Sequence, residues 1–331
     1  MATPATVDTS SLLQLITDCC YLQARESYQQ LLVENNLPDS WLPEDETEAA
    51  SIKRALERAK ECAEVLKDMT VESESGINSN WIHATTHFGI TCHYQLGDDG
   101  IVMVRMEGNM TDLPLFEQAA VIHEVEFFKT WIPFCNDSHK VDKIGFADLV
   151  AYISLFIPPI GRDTIIYAWA ADCLREASRI IISGKSVPSW PNGATKPTGW
   201  FQDTMDVKTF LAVIDVTNST SARTTIVAKV DPRTILPHSL INFVVRNLAG
   251  FMLYFFQLKV KDVIKHPDCE HAKCIRENTH FYRDWLKPKL EGFCKLKGWD
   301  PPVIPYFDDK SSATTTDATD TKSSAVENKK Q

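Results

Sequence analysis

The 331-residue sequence predicts an α+β protein in which one antiparallel β-sheet curves around a long helix near the C-terminus. Three observations carry this. Runs with two-residue hydrophobic alternation fill the middle of the chain, a stretch over 237–265 with one broad apolar face follows them, and two acidic amphipathic helices precede them. Composition is that of a folded chain, 44% hydrophobic and 24% charged, which excludes wholesale disorder and collagen-like repeats. Lys and Arg number 34 against 44 Asp and Glu. Without a basic field, nucleic acid is not an expected partner.

Residues 11–35 and 45–69 place Leu12, Leu15, Ile16, Leu22 and Leu31, then Ile52, Leu56, Ala59, Ala63 and Leu66, at steps of three and four. This predicts a helical hairpin. Pro38 and Pro43 divide it, and Glu44, Asp45, Glu46 and Glu48 crowd the second N-terminus, where the helix dipole favours anions. The hairpin is expected to pack on the main domain, and it is also the segment best suited to docking a protein partner.

At Trp81 the period becomes two, and one strand is expected over 82–94. Gly97 to Gly100 turns it into a second strand over 101–108. A helix over 113–129 follows, then β-like runs near 139–144, 148–157, 163–172, 178–186, 205–216 and 222–231, for eight strands in all. Leu149 to Ile157 is apolar on both faces, so both sides of part of the sheet must be covered. The Pro-rich stretch 187–204 reads as a long loop of the lid kind.

Over 237–265, Leu240, Ile241, Val244, Val245, Leu248, Phe251, Met252, Phe255, Phe256, Leu258 and Val263 fill one arc of a helix. Val244, Leu248, Phe251 and Phe255 are central to it, with Asn247 on its edge. Phe243, Leu253 and Tyr254 fall outside and either pack under a further helix over 270–298, broken or kinked at Pro288, or meet a bilayer, the first being the preferred reading. Asn242, Arg246 and Asn247 interrupt the run, which argues against a transmembrane span. From Lys310 the chain is low in complexity and expected to be disordered. The division expected is 1–74, a helical hairpin; 75–265, the sheet and its helix; 266–307, a C-terminal helical extension; and 308–331, a tail.

Nine cysteines without framework spacing read as buried thiols in a reducing compartment. The first residues lack the basic, apolar pattern of a signal peptide, so the expected location is cytoplasmic. Neither His83, His87 and His93 nor His266, Cys269, His271, Cys274 and His280 has the spacing of a usual metal site, and no nucleophile elbow or phosphate loop occurs. No metal and no cofactor is expected.

Five segments then carry a resemblance: Val104-Arg-Met-Glu-Gly108, Leu115-Phe116 leading to Trp131-Ile-Pro133, Pro159-x-x-Arg162-Asp163, Val230-Asp231-Pro232, and Leu236-Pro237 with Asn242. In this order and spacing they resemble the START family of lipid transfer domains over roughly residues 75–265. The resemblance implies a helix-grip fold that holds one lipid or sterol-like ligand in a tunnel and moves it between membranes without covalent chemistry.

Candidate ligand contacts follow from face and residue type. Arg105, paired with Glu107, either holds a headgroup or solvates the sheet surface. Tyr167 and Trp169 share one face of their strand and suit an amphipathic ligand or a packed core equally, and Thr224, Ile226 and Ala228 share the expected inward face of theirs. From the helix, Val244, Asn247, Leu248, Phe251 and Phe255 are the expected lining. Trp190, Trp200 and Phe201 in the long loop suit a gate in transient contact with a membrane surface. Two alternatives stand beside this reading: a helix-grip enzyme of cyclase or hydrolase type acting on a hydrophobic small molecule, and a helical scaffold with a collapsed cavity.

Overall fold

A computed structural model of the chain describes residues 7–75, 80–97, 100–157, 160–187, 204–233 and 250–307. Three helices come first: α1 (Ser10–Thr17), α2 (Tyr21–Glu34) and α3 (Glu46–Ser75). The single helix expected over 11–35 is two, because Cys19 takes φ 60° and turns the chain between them. Residues 45–69 form α3 as expected, with Asp45 accepting from the amides of Thr47 and Glu48 at 2.9 Å.

The sheet has nine strands in the order β1-β2-β3-β9-β8-β7-β6-β5-β4, all neighbours antiparallel. They are β1 (Ile82–His87), β2 (Ile90–Leu96), β3 (Val102–Met110), β4 (Cys135–Lys143), β5 (Asp148–Ile157), β6 (Ile160–Cys173), β7 (Arg179–Ser186), β8 (Asp206–Asn218) and β9 (Ser221–Asp231). The ninth strand arises inside 82–94. Phe88 and Gly89 both have positive φ, 55° and 74°, and close a two-residue hairpin between His87 and Ile90. Such a turn hides in continuing alternation. Helix α4 (Leu115–His123) and a 3₁₀ turn over Val125–Thr130 occupy the predicted 113–129.

One face of the sheet carries α5 (Gly250–Lys265), and the rest of the helix expected over 237–265 lies outside the described residues. Its Leu253, Phe256, Val260 and Val263 join Ile90, Met106, Met110, Ile214 and Phe116 in the main core. Gly108 permits the contact, since a Cβ there would lie 3.0 Å from Ile90 and 3.1 Å from Leu253. The C-terminal extension, α6 (Glu270–Glu277) and α7 (Lys287–Lys297), adds Ile275, Tyr282, Leu290 and Phe293 to the same core. The disruption expected at Pro288 lies just before it, in a wide π turn over Tyr282–Leu286.

The opposite face carries the hairpin. Tyr21, Leu22, Ala55, Ala59 and Cys62 pack on Trp169, Ala171, Cys173 and Ile181. The extension reaches it too, as the Trp285 indole donates to Asp18 at 3.0 Å and Lys289 lies 3.3 Å from Asp172.

Candidate ligand-binding face

Antiparallel partners point to the same side of a sheet, so the register sorts every strand residue to the α5 face or the hairpin face. One row on the α5 face runs Ile90, Gly108, Thr224, Ile214 and Ile180. Ile90 is 0%, Ile214 2% and Thr224 3% exposed, so this part of the face is sealed by α5, α4 and the C-terminal extension together. Two rows further along, Val104, Ala228, Phe210, Ala168 and Leu149 are each only half-buried, with Gly184 completing the row. Ile166 and Val102, beyond it, are half-buried as well. A single apolar face thus changes from sealed to half-covered over a few residues. Residues 234–249 lie outside the described residues.

Thr224, Ile226 and Ala228 all fall on the α5 face. Thr224 sits at its closed end with a buried hydroxyl that has no hydrogen-bond partner among the described residues. Tyr167 and Trp169 are corrected: they face the hairpin. Trp169 packs edge-on to Tyr21 at 5.8 Å, and the Tyr167 hydroxyl donates to Asp148 at 3.3 Å. Aromatic composition suggested a ligand, but parity along β6 puts odd positions on the hairpin side. Arg105 also points away from α5, donating to Glu107 from Nε at 2.7 Å, while Arg223 takes the other carboxylate oxygen at 2.9 Å. The pair lies on the face of the sheet turned away from α5, with Arg105 buried. Burial pushes the Glu107 carboxyl up, but the two guanidinium groups outweigh it and hold it below the usual range.

The helix is rotated from the expected arc. Leu253, expected to lie off the seam, is 1% exposed against the sheet, whereas Phe255 is 37% exposed. Tyr254 stacks on Phe88 at 4.1 Å and not under the extension. The reason is Gln257, a polar residue on the buried side that donates to the Asn109 carbonyl at 3.0 Å. With Gln257 inward, Phe251 and Phe255 turn toward the edge, where they border a surface hollow of about 550 Å³ with Trp131, Ile132 and Phe134. Val244, Asn247, Leu248 and Phe243, and the gate residues Trp190, Trp200 and Phe201, lie outside the described residues.

Sequence reasoning missed the half-buried row on β3, β5, β6 and β8. Its signal was legible in Leu149 to Ile157, whose double-sided apolarity needs covering on the helix side as well as the hairpin side. It also missed Arg58. This residue lies between Ala55 and Ala59 on the buried side of α3 and forms a bidentate pair with Asp148 at 3.2 and 2.7 Å. It also donates to the hydroxyls of Tyr21 and Tyr167 and lies 5.1 Å from the centre of the Trp169 ring.

Two further buried carboxyls flank α5 and its neighbours. Burial pushes Glu117 on α4 up to about 7, with the Tyr306 hydroxyl its side-chain partner. Burial also raises Glu124, but the hydrogen bond and charge of His123, with Tyr282 and Lys140, outweigh it and hold this carboxyl at about 2. Among the described residues no three His, Cys, Asp or Glu side chains converge as a metal site, and no helix is long and apolar enough to cross a membrane.

No family model and no curated protein matches the sequence. Solved structures do. The crystal structure of human STARD10 aligns with a TM-score of 0.52 at 19% identity, covering 67% of this chain and 86% of that one. The chain has a START-type helix-grip fold. Human StAR-related lipid transfer protein 5 covers 63% of this chain and 99% of its own at 14% identity and a TM-score of 0.48. The Zhui aromatase/cyclase of Streptomyces sp. R1128 covers 50% and 96%, with 9% identity and a TM-score of 0.36. Two segments that carry the START resemblance meet in space: the Arg162 guanidinium donates to the Pro232 carbonyl at 3.1 Å across 70 residues of sequence.

Proposed function

We propose that the chain holds one hydrophobic ligand, a lipid or sterol-like molecule, between the half-buried row of the α5 face and the helix expected over 237–265, and shields or transfers it between membranes. The observation that carries this is the change in burial along one face, from Ile90 and Ile214 to Val104, Ala228, Phe210 and Leu149. Each methylene buried there gains ~0.8 kcal/mol, enough to draw a chain or ring system from water but only to match a bilayer. Exchange with a membrane then requires contact. The tip residues Phe88 and Phe134, with Phe255 and Leu258, are exposed together with Lys129 and Lys261, the aromatic and basic mixture that suits an anionic bilayer surface. Trp190, Trp200 and Phe201 remain the proposed gate. The expected result from native mass spectrometry of freshly purified protein is one co-purified lipid or sterol-like molecule per chain. Protein that neither carries nor takes up such a ligand from vesicles overturns the reading.

A further inference from the structure

A second cleft lies on the other side of the molecule, where the hairpin, the β4–β5 turn and the extension meet. It encloses about 460 Å³. Ile16, Ile144 and Phe146 give it an apolar wall, and Arg54, Arg58 and Lys143 give it a cationic one. Asp148 is the one acidic residue among those lining it, and both its oxygens are occupied by Arg58. Arg54 and Lys143 are exposed, and neither comes within 4.0 Å of a carboxylate of the described residues. Three cations against one carboxylate leave a formal charge of +2.

That sign runs against its surroundings, since residues 1–80 hold 6 basic and 15 acidic side chains. A single lysine on a surface is ordinarily just solvated. Here Arg54 and Lys143 are exposed in a cleft whose buried floor holds the Arg58–Asp148 pair, so its lining carries more positive charge than the described residues neutralise and favours an anion. The apolar wall is exposed as well: Ile144 is 49% accessible on the turn beside Phe146.

We infer that this cleft binds a small organic anion, a carboxylate or phosphate monoester with a short apolar body, independently of any ligand on the α5 face. The guanidinium of Arg54 and the ammonium of Lys143 take the anionic head, the buried Arg58–Asp148 pair fixes the floor, and the body lies along Ile16, Ile144 and Phe146. The volume falls in the range of small-molecule sites and is too small for a two-chain lipid. Because the hairpin, a strand turn and His280 of the extension all line the cleft, an occupant holds the appendages to the sheet and raises the unfolding temperature by mass action.

Calorimetric titration of the full chain with phenyl phosphate, benzoate, inorganic phosphate and benzyl alcohol tests this. Phenyl phosphate or benzoate is expected to saturate at one per chain, weaken with added salt, and bind about tenfold or more tighter than the two single-feature probes. The double variant Arg54→Ala with Lys143→Ala is expected to lose about tenfold or more in affinity, while its own unfolding temperature and its loading on the α5 face stay unchanged. Preference for phenyl phosphate identifies a phosphate monoester as the natural class, and preference for benzoate a carboxylate. The inference fails if neither aromatic anion saturates below about 10 mM. It also fails if inorganic phosphate binds equally well, or if the double variant binds like the parent. Retained binding in Ala228→Trp, which fills the α5 face, separates this cleft from the site of the proposed function.

Discussion

The two faces of one sheet are closed by different physics. On the hairpin side, Arg58, Asp148, Tyr21 and Tyr167 form a hydrogen-bonded network inside an apolar ring of Trp169, Ala171 and Ala59, and every polar partner is specified. On the α5 side, contact is almost wholly apolar, tight at Gly108 and half-covered at Ala228. A polar network fixes one geometry, because a partner displaced leaves a buried charge unpaired. An apolar contact carries no such requirement and tolerates a foreign hydrocarbon in place of a side chain. The first face is built to stay shut, and the second carries no such constraint.

The largest expected effect removes the lock. Arg58→Ala leaves Asp148 buried without its cation and is expected to cost about 3–5 kcal/mol in chemical denaturation. Arg58→Met with Asp148→Leu is expected to recover most of that loss, because the network's Coulomb energy is largely cancelled by desolvation. A loss under about 1 kcal/mol in the single variant would mean that the hairpin is held by apolar packing alone.

Next in size is a pH dependence that belongs to the α5 side. Glu117 is 3% exposed, and burial raises its carboxyl to about 7 from an unfolded value of 4.5. The folded state therefore binds a proton that the unfolded state has released. This stability is fully present below the unfolded value and is lost as pH rises through the folded one. Its full depth is on the order of 3 kcal/mol, of which about 2 kcal/mol is expected to vanish between about pH 5.5 and pH 8. Glu117→Gln should flatten that slope in denaturation curves. An unchanged slope would place the proton elsewhere.

How much of this was legible follows the same division. Period-two alternation located most of the strands, since a half-buried strand writes its faces directly into sequence, and Thr224, Ile226 and Ala228 were assigned to the correct side. Parity alone cannot say which side a covering element occupies. Tyr167 and Trp169 therefore fit a ligand and a core equally well in sequence, and only the hairpin decides for the core. In the helix, Phe255 and Leu258 mimic a core stripe while Gln257 is the residue turned inward, because a polar side chain with a backbone acceptor is indistinguishable in sequence from one in water. Arg58 is the same case on α3. A charge on an apolar stripe signals a buried partner, but the partner, Asp148, is 90 residues away and only the fold brings it near.

A smaller effect distinguishes packed from half-covered rows with the same substitution. Ala171→Leu, in the fully buried row against Ala59 and Cys62, is expected to cost about 1–3 kcal/mol through overpacking. Ala228→Leu, in the half-buried row, is expected to change stability by less than about 0.5 kcal/mol and to lower the fraction of chains carrying a ligand in native mass spectra. Equal costs at the two sites would show that the α5 face is as solid as the hairpin face.

The smallest expected effect concerns the edge where α5 meets water. The Phe88 ring stacks on Tyr254 and reaches Phe251 at 6.0 Å, yet Phe88 is 59% exposed at a turn with positive φ. A left-handed position ordinarily favours glycine or asparagine, so holding phenylalanine there has a conformational cost that its partial burial repays poorly. Under the proposed function, contact with a bilayer interface would supply the missing burial, about 1 kcal/mol for one ring inserted at headgroup depth. Phe88→Ala is therefore expected to weaken flotation with anionic vesicles several-fold and slow ligand exchange to the same extent, with ligand loading at equilibrium unchanged. Phe88→Asn, which suits the backbone but not the interface, should bind vesicles as poorly while folding at least as stably as the parent. If the asparagine variant kept full vesicle binding, the exposed ring would serve only its stack with Tyr254, and the route between membrane and α5 face would have to open elsewhere.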